Sequence, residues 1–289
     1  MRRPGPSRQQ GFGLLIFVTL TAMVTLALLA GFSGLLTQQA ANALKATQQK
    51  YLKEVLTSVE TVWDQNAAAL DSPGPGNTTT AADVLRLAGV SPRQGAKLVL
   101  SNVMVSAADN VAFRYVAYYL PAETDVSNPP NLAHFMNTGE FISCSDPGLP
   151  CDEREFRVYS SLDRQRELSA ETLRRMQKVA AKAQSYFKAR MMQDPEHSID
   201  INYFRRPSGV CSVSGSMDLG CFDAYTPLAG TFAAQAMGLS AEELYTAWGQ
   251  PIEVSNLQDS NTGTTPFSMA FRARRPLGDY LTVRAVQQL

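Results

Sequence analysis

The chain has 289 residues, of which 45% are hydrophobic and 18% charged, with 26 basic side chains set against 26 acidic ones. That apolar content excludes a disordered chain, and a net charge of zero excludes binding of a polyanion through bulk charge. The length is enough for one or two folded domains.

In chain order the first signal is a basic stub. Arg2, Arg3 and Arg8 precede Gln9-Gln10-Gly11, and residues 12–36 then run without an ionisable side chain. About 25 helical residues, at about 1.5 Å each, exceed the roughly 30 Å hydrocarbon thickness of a bilayer. The helical pattern continues, increasingly polar, through residues 37–70, and proline does not return until Pro73. The arginines lie before the span and the first charge after it is Lys45, so positive-inside bias places Met1 in the cytoplasm and everything after Leu36 across the membrane. In the stalk portion Leu44, Leu52, Val55, Leu56, Val59, Val62 and Trp63 recur at three- and four-residue steps, leaving Lys50, Lys53, Glu54 and Glu60 on the other face. The apolar stripe is expected to lie on the protein's own head.

Asp71-Ser72-Pro73-Gly74-Pro75-Gly76-Asn77 reads as a loop. A short helix is expected over 81–88, closed by Gly89, and strands over 97–105, 111–120, 140–144 and 155–160. Residues 80–163 thus read as a small α+β region. Ser169 is placed as the cap of a helix running to about Met191, with Leu173, Met176, Ala180, Ala183 and Phe187 as its buried stripe. Arg174, Arg175, Lys178 and Lys182 on that helix read as a solvated face, so no nucleic-acid partner is expected. An extended segment over 199–204 follows. Ser240 and Glu243 then form a capping box, with Leu239 positioned to staple onto Leu244. Ala247-Trp248-Gly249-Gln250-Pro251 enters a strand at 252–254, and strands over 266–274 and 280–286 finish the chain around Gly278-Asp279.

The basic leader, Gly11, and Phe12 opening a membrane helix that becomes an amphipathic stalk resemble the class III signal of type IV prepilins and type II secretion pseudopilins. The order over 169–289, with Trp-Gly-x-Pro leading into a closing antiparallel sheet, resembles the heads of the same family. The resemblance implies a leader of residues 1–11, cleavage by a prepilin peptidase between Gly11 and Phe12, and N-methylation of Phe12. It implies an α+β fold in which one helix, spanning the membrane over 12–36 and acting as stalk over 37–70, packs on an antiparallel-sheet head (169–289), with 80–163 inserted. Other pilin or pseudopilin subunits are its implied partners. Gly13 replaces a common threonine, and the family's usual glutamate at the fifth mature position is replaced by Ile16, which points to a minor, tip or initiating subunit or to a protein that only borrows the architecture. Two other readings account for the same junction. An uncleaved signal anchor explains the charge and the span. Ala41-Asn42-Ala43 also has the small-x-small pattern of a signal peptidase site, although it lies well beyond the apolar region.

Cys144 with Cys151, and Cys211 with Cys221, read as two local disulfides in a compartment outside the cytoplasm, although four cysteines allow three connectivities. Their spacings suit zinc poorly. The resemblance adds a calcium loop found in some pseudopilins; its counterpart is Asn256-Leu257-Gln258-Asp259-Ser260-Asn261, where Asp259 is the single acid, so an ordinary loop is expected and no cofactor. His134 and His197 lie in unrelated contexts, and no nucleophile elbow, phosphate loop or HExxH is present, so an enzyme is not expected.

Overall fold

The computed structural model describes residues 9–72, 79–93, 95–151, 154–204, 224–256 and 265–287, with the side chains of 9–15, 30, 123 and 124 outside the description. Helix α1 is Gln9–Leu70. The chain divides into two units, Met1–Glu54 and Val55–Leu289.

In the first unit every described large apolar side chain from Ile16 to Leu36 is exposed, Phe17 and Phe32 each at 69%. This is one helix long and apolar enough to cross a membrane. The hydroxyls of Thr19, Thr21 and Thr25 donate to carbonyls three or four residues back, so the helix satisfies these polar groups itself. Leu44, expected on the buried stripe, is 56% exposed.

The second unit is α+β with antiparallel sheets. Its part of α1 buries Val55, Val59, Val62 and Trp63, the expected stripe. Helical geometry fails at Asn66 (φ −129°, ψ 16°). The cause is local: Asn66 Nδ2 donates to the Val62 carbonyl (3.0 Å), the acceptor its own backbone N–H would use. Helix α2 (Ala81–Leu87) starts at a Thr80–Asp83 capping box and stops before Gly89, whose φ is +65°.

The expected strands 97–105 and 111–120 are each broken in two. Strand β1 (Lys97–Leu100) pairs with β4 (Tyr115–Tyr119), and β2 (Met104–Val105) pairs with β3 (Ala112–Phe113). The break falls at Arg114, whose N–H donates to the Ser161 hydroxyl (2.9 Å) and whose carbonyl accepts from the Ser161 N–H (3.0 Å). Strand β5 (Phe156–Ser160) completes the sheet β1-β4-β5. No strand forms over 140–144. Phe141 instead packs among Tyr119, Phe135 and Phe156, at centroid distances of 5.1, 6.1 and 4.6 Å, so aromatic burial replaces a ladder there. A helix not expected from sequence, α3 (Leu132–Thr138), is capped by Asn131 and ends at Gly139 with φ +76°.

Helix α4 (Leu162–Gln193) begins two turns before Ser169, because Gln165 and Leu168 extend its buried stripe towards the N-terminus. Leu173, expected in that stripe, is 38% exposed. Residues 199–204 form turns, not a strand, with Phe204 against Phe187 at 4.6 Å. After β6 (Thr226–Pro227) comes a helix not expected from sequence, α5 (Phe232–Ala236), capped by Thr231. Residues Ala241–Leu244 are a 3-10 turn, with the Ser240 N–H donating to Glu243 Oε2 (2.7 Å) as the capping box requires. Strands β7 (Glu253–Ser255), β8 (Ser268–Arg274) and β9 (Tyr280–Val286) extend a four-stranded sheet in the order β6-β7-β8-β9. Its inner face, Met269, Phe271, Ala273 and Ala285, shares a core with Met176, Val179, Ala180, Ala183 and Phe187 of α4.

The β2–β3 hairpin tip reaches this second sheet. Arg166 of α4 bonds Asp109 (2.6 Å), Arg275 donates to the Asp109 carbonyl (3.2 Å), and Asn110 donates to Asp279 (3.2 Å) in the β8–β9 turn.

Candidate functional site

The candidate functional elements lie at the two ends of α1. At its start the Gly11–Phe12 peptide falls in the first turn of the helix. Residues 12–44 contain no ionisable side chain. Ile16 is 44% exposed, and a Cβ placed on Gly31 or Gly34 would meet nothing within 4 Å. This surface suits hydrocarbon or another apolar helix.

At the far end, a buried polar network joins α1 to the head. Asp71 is fully buried just past Leu70. Its Oδ1 accepts from Trp63 Nε1 (3.1 Å), and its Oδ2 accepts from Gln165 Nε2 (2.7 Å). Gln165 Nε2 also donates to the Ala67 carbonyl (3.0 Å), while Gln165 Oε1 accepts from Trp248 Nε1 (2.9 Å). Trp248 is offered by a tight turn in which the Thr246 N–H bonds the Gln250 carbonyl (2.7 Å) and Gly249 takes φ +77°. That conformation explains the glycine of Trp-Gly-x-Pro. The Ala247 N–H donates to Thr172 (3.0 Å), fixing the turn to α4. Trp63 meets Tyr159 of β5 edge-on at 5.9 Å. A 580 Å³ cavity lies beside this junction, lined by Ala67, Ala68, Leu168 and Trp248 among others.

Burial pushes the Asp71 carboxyl above its ordinary range, against the lowering effect of Gln165, Trp63 and Ser161. The Tyr159 hydroxyl is likewise raised by burial and by the nearby Asp71, Asp64 and Glu60. Elsewhere Tyr203 is pushed up to about 12, by burial and by its hydrogen bond to Asp194. The basic cluster of α4 is largely engaged: Arg174 and Arg175 hold Glu171 (2.6 and 2.8 Å), lowering its pKa, and Lys182 holds Glu243 (2.6 Å).

Of the cysteines, Cys144 and Cys151 are joined, with Cα atoms 5.9 Å apart. Cys211 and Cys221 lie outside the described residues, as does Asp259 of the calcium-loop expectation. Among the described residues no group of three His, Cys, Asp or Glu side chains is placed to hold a metal. The histidines stand apart. His134 pairs with Glu140 (3.1 Å), and His197, with φ +46°, bonds the Met191 carbonyl (3.0 Å).

Trp63 and Trp248 were marked by the sequence as an apolar stripe residue and a motif residue, but nothing pointed to the Asp71–Gln165 pair that links them. Gln165 sits four residues before Ser169, the expected cap of that helix, and Asp71 opens a segment that reads as loop. A polar residue in register with the α4 stripe, three positions before Leu168, is the signal that finds Gln165. Set against protein-family models, curated proteins and solved structures, the chain matches none.

Proposed function

We propose that this chain is an assembly subunit of the type IV pilin or type II pseudopilin kind, structural and not catalytic. The observation that carries the proposal is α1, which is preceded by Arg2, Arg3 and Arg8, starts with an uncharged apolar half and ends in an amphipathic half bearing a buried stripe. The helix waits in the inner membrane with its N-terminus cytoplasmic. A prepilin peptidase cuts between Gly11 and Phe12, and Phe12 is N-methylated. Assembly then exchanges lipid contacts for contacts with other subunits' helices, the open Gly31 and Gly34 positions permitting close approach. Ile16 offers no carboxylate to pair with a neighbouring N-terminal amine, so the subunit takes a minor, tip or initiating place. The head lies in the periplasm or on an extracellular filament.

Mass spectrometry of the mature N-terminus tests this. The expected terminus is methylated Phe12, lost on Gly11→Val. An intact Met1 terminus refutes it, leaving a signal-anchored envelope protein that stays in the bilayer. A terminus near Ala43 refutes it in favour of a secreted one.

A further inference from the structure

The two sulfurs of the Cys144–Cys151 pair meet different surroundings. Cys144 is buried, whereas Cys151 is exposed. The Arg154 side chain, with no exposure to solvent, points its Nη1 at the Cys144 sulfur from 3.1 Å. Asp125 fixes that guanidinium through Nε (2.7 Å), and the carbonyls of Asn128 (2.9 Å) and Ser143 accept from it. A disulfide sulfur is a weak, neutral acceptor. A thiolate in its place is a strong one, whose charge the guanidinium offsets.

Hydrogen bonds also fix the loop around the pair, besides the covalent bond. The Asn128 amide donates to the Asp146 and Pro150 carbonyls (2.8 and 3.3 Å) and accepts from the Asp146 N–H (3.0 Å). The Ser145 N–H and hydroxyl both donate to the Pro129 carbonyl (2.9 and 2.8 Å). Cys151 thus lies at the surface, and the Cys144 sulfur lies beside the buried guanidinium of the Arg154–Asp125 pair.

We propose that Cys144–Cys151 is a thiol–disulfide exchange site for a dithiol reductant, with Cys151 as the sulfur attacked and Cys144 as the leaving group. A reductant thiolate bonds to the Cys151 sulfur as the Cys144–Cys151 bond breaks, and the electron pair goes to Cys144 next to Arg154. The reductant's second thiol loses its proton to solvent and attacks its own sulfur in the mixed disulfide. Cys151 leaves and takes a proton from solvent. The reductant ends as its disulfide, and the cysteine pair has gained two electrons. Exchange is faster when the leaving thiol is the more acidic, and that is what Arg154 provides. The inference does not depend on the assembly role.

The test uses the full chain in detergent. In Cys151→Ser, thiolate absorbance at 240 nm is titrated against Cys144→Ser/Cys151→Ser, which cancels the other cysteines. The Cys144 pKa is expected at least about one unit below the free-cysteine value of about 8.5. Adding Arg154→Gln should return it to that value, whereas Arg154→Lys should keep part of the drop; near-UV circular dichroism reports whether each variant folds. A Cys144 pKa at or above about 8.5 with Arg154 intact overturns the proposal. In the wild-type chain, brief exposure to 2-mercaptoethanol, acid quenching and peptide mapping should place the adduct on Cys151, and an adduct on Cys144 or shared equally also overturns it. With dithiothreitol, the opening rate of the pair should fall at least about threefold in Arg154→Gln, for a rise of at least about one unit in leaving-group pKa and a sensitivity like the ~0.5 slope on the attacking side.

Discussion

Gln165→Glu probes the junction at its most exacting point. The two indoles can only donate, so Asp71 must accept at both oxygens, and Gln165 must accept from Trp248 while donating to Asp71 and Ala67. A glutamate keeps the oxygen that serves Trp248. Its second oxygen, however, replaces a donor 2.7 Å from Asp71 Oδ2. Two buried carboxylates so close cannot both ionise, and a pKa raised by about three units amounts to about 4 kcal/mol at pH values above it. The folded variant then binds a proton that its unfolded chain has released, so stability falls as pH rises through the raised pKa. At pH 4.5 the protonated glutamate can still donate, and the deficit relative to wild type should be small. At pH 8 it should approach 4 kcal/mol, or about 10 °C in melting temperature for a unit of this size. Burial already raises the Asp71 pKa, so the wild type drifts in the same direction, and the difference between the two proteins isolates the new pair. Trp63 and Trp248 are the chain's two tryptophans, so tryptophan emission, excited beyond the tyrosine band, reads this network. Trp248 also lines the 580 Å³ cavity, and loosening it should red-shift the emission. A deficit that stays constant from pH 4.5 to 8, or a variant melting with the wild type at pH 8, would refute the network.

Two further substitutions test packing. Gly139→Ala puts a methyl group into the Tyr115 ring at a φ of +76°, and should cost about 2–4 kcal/mol in chemical denaturation; no loss would mean that α3 does not end against β4. Phe187→Ala removes a side chain 1% exposed, between Tyr203 and Phe204 on one side and the C-terminal sheet on the other. It should lower stability by about 3–5 kcal/mol, read as a shifted urea midpoint with an unchanged slope.

What could be read in advance followed the range of the forces involved. Val55, Val59, Val62 and Trp63 recur at helical spacing, and that local pattern survives folding. Strands β8 and β9 and the Ser240–Glu243 box lie close to their expected places, because alternation and capping are short-range signals. The strand expected over 140–144 failed where tertiary packing overrode propensity, since Phe141 gains more from three aromatic neighbours than from a ladder. The break at Arg114 depends on Ser161, 47 residues away, and no window of sequence contains both. The Asp71–Gln165 bond spans 94 residues and was hidden for the same reason. Arg154 was passed over because a lone arginine before a strand looks like surface, and only the fold buries it beside Cys144.

The hairpin tip at Asp109 and Asn110 has a consequence for how the protein can be divided. A stretch that reads as detachable ornament is wired to α4 and to the last turn at three points, so removing it strips Arg166, Arg275 and Asp279 of ties at one stroke. A fragment starting at residue 169 would also forfeit Gln165, the acceptor that the buried Trp248 indole uses. Ornament and body should therefore melt in a single step, and a fragment cut between them should show two weakened pieces where the whole has one.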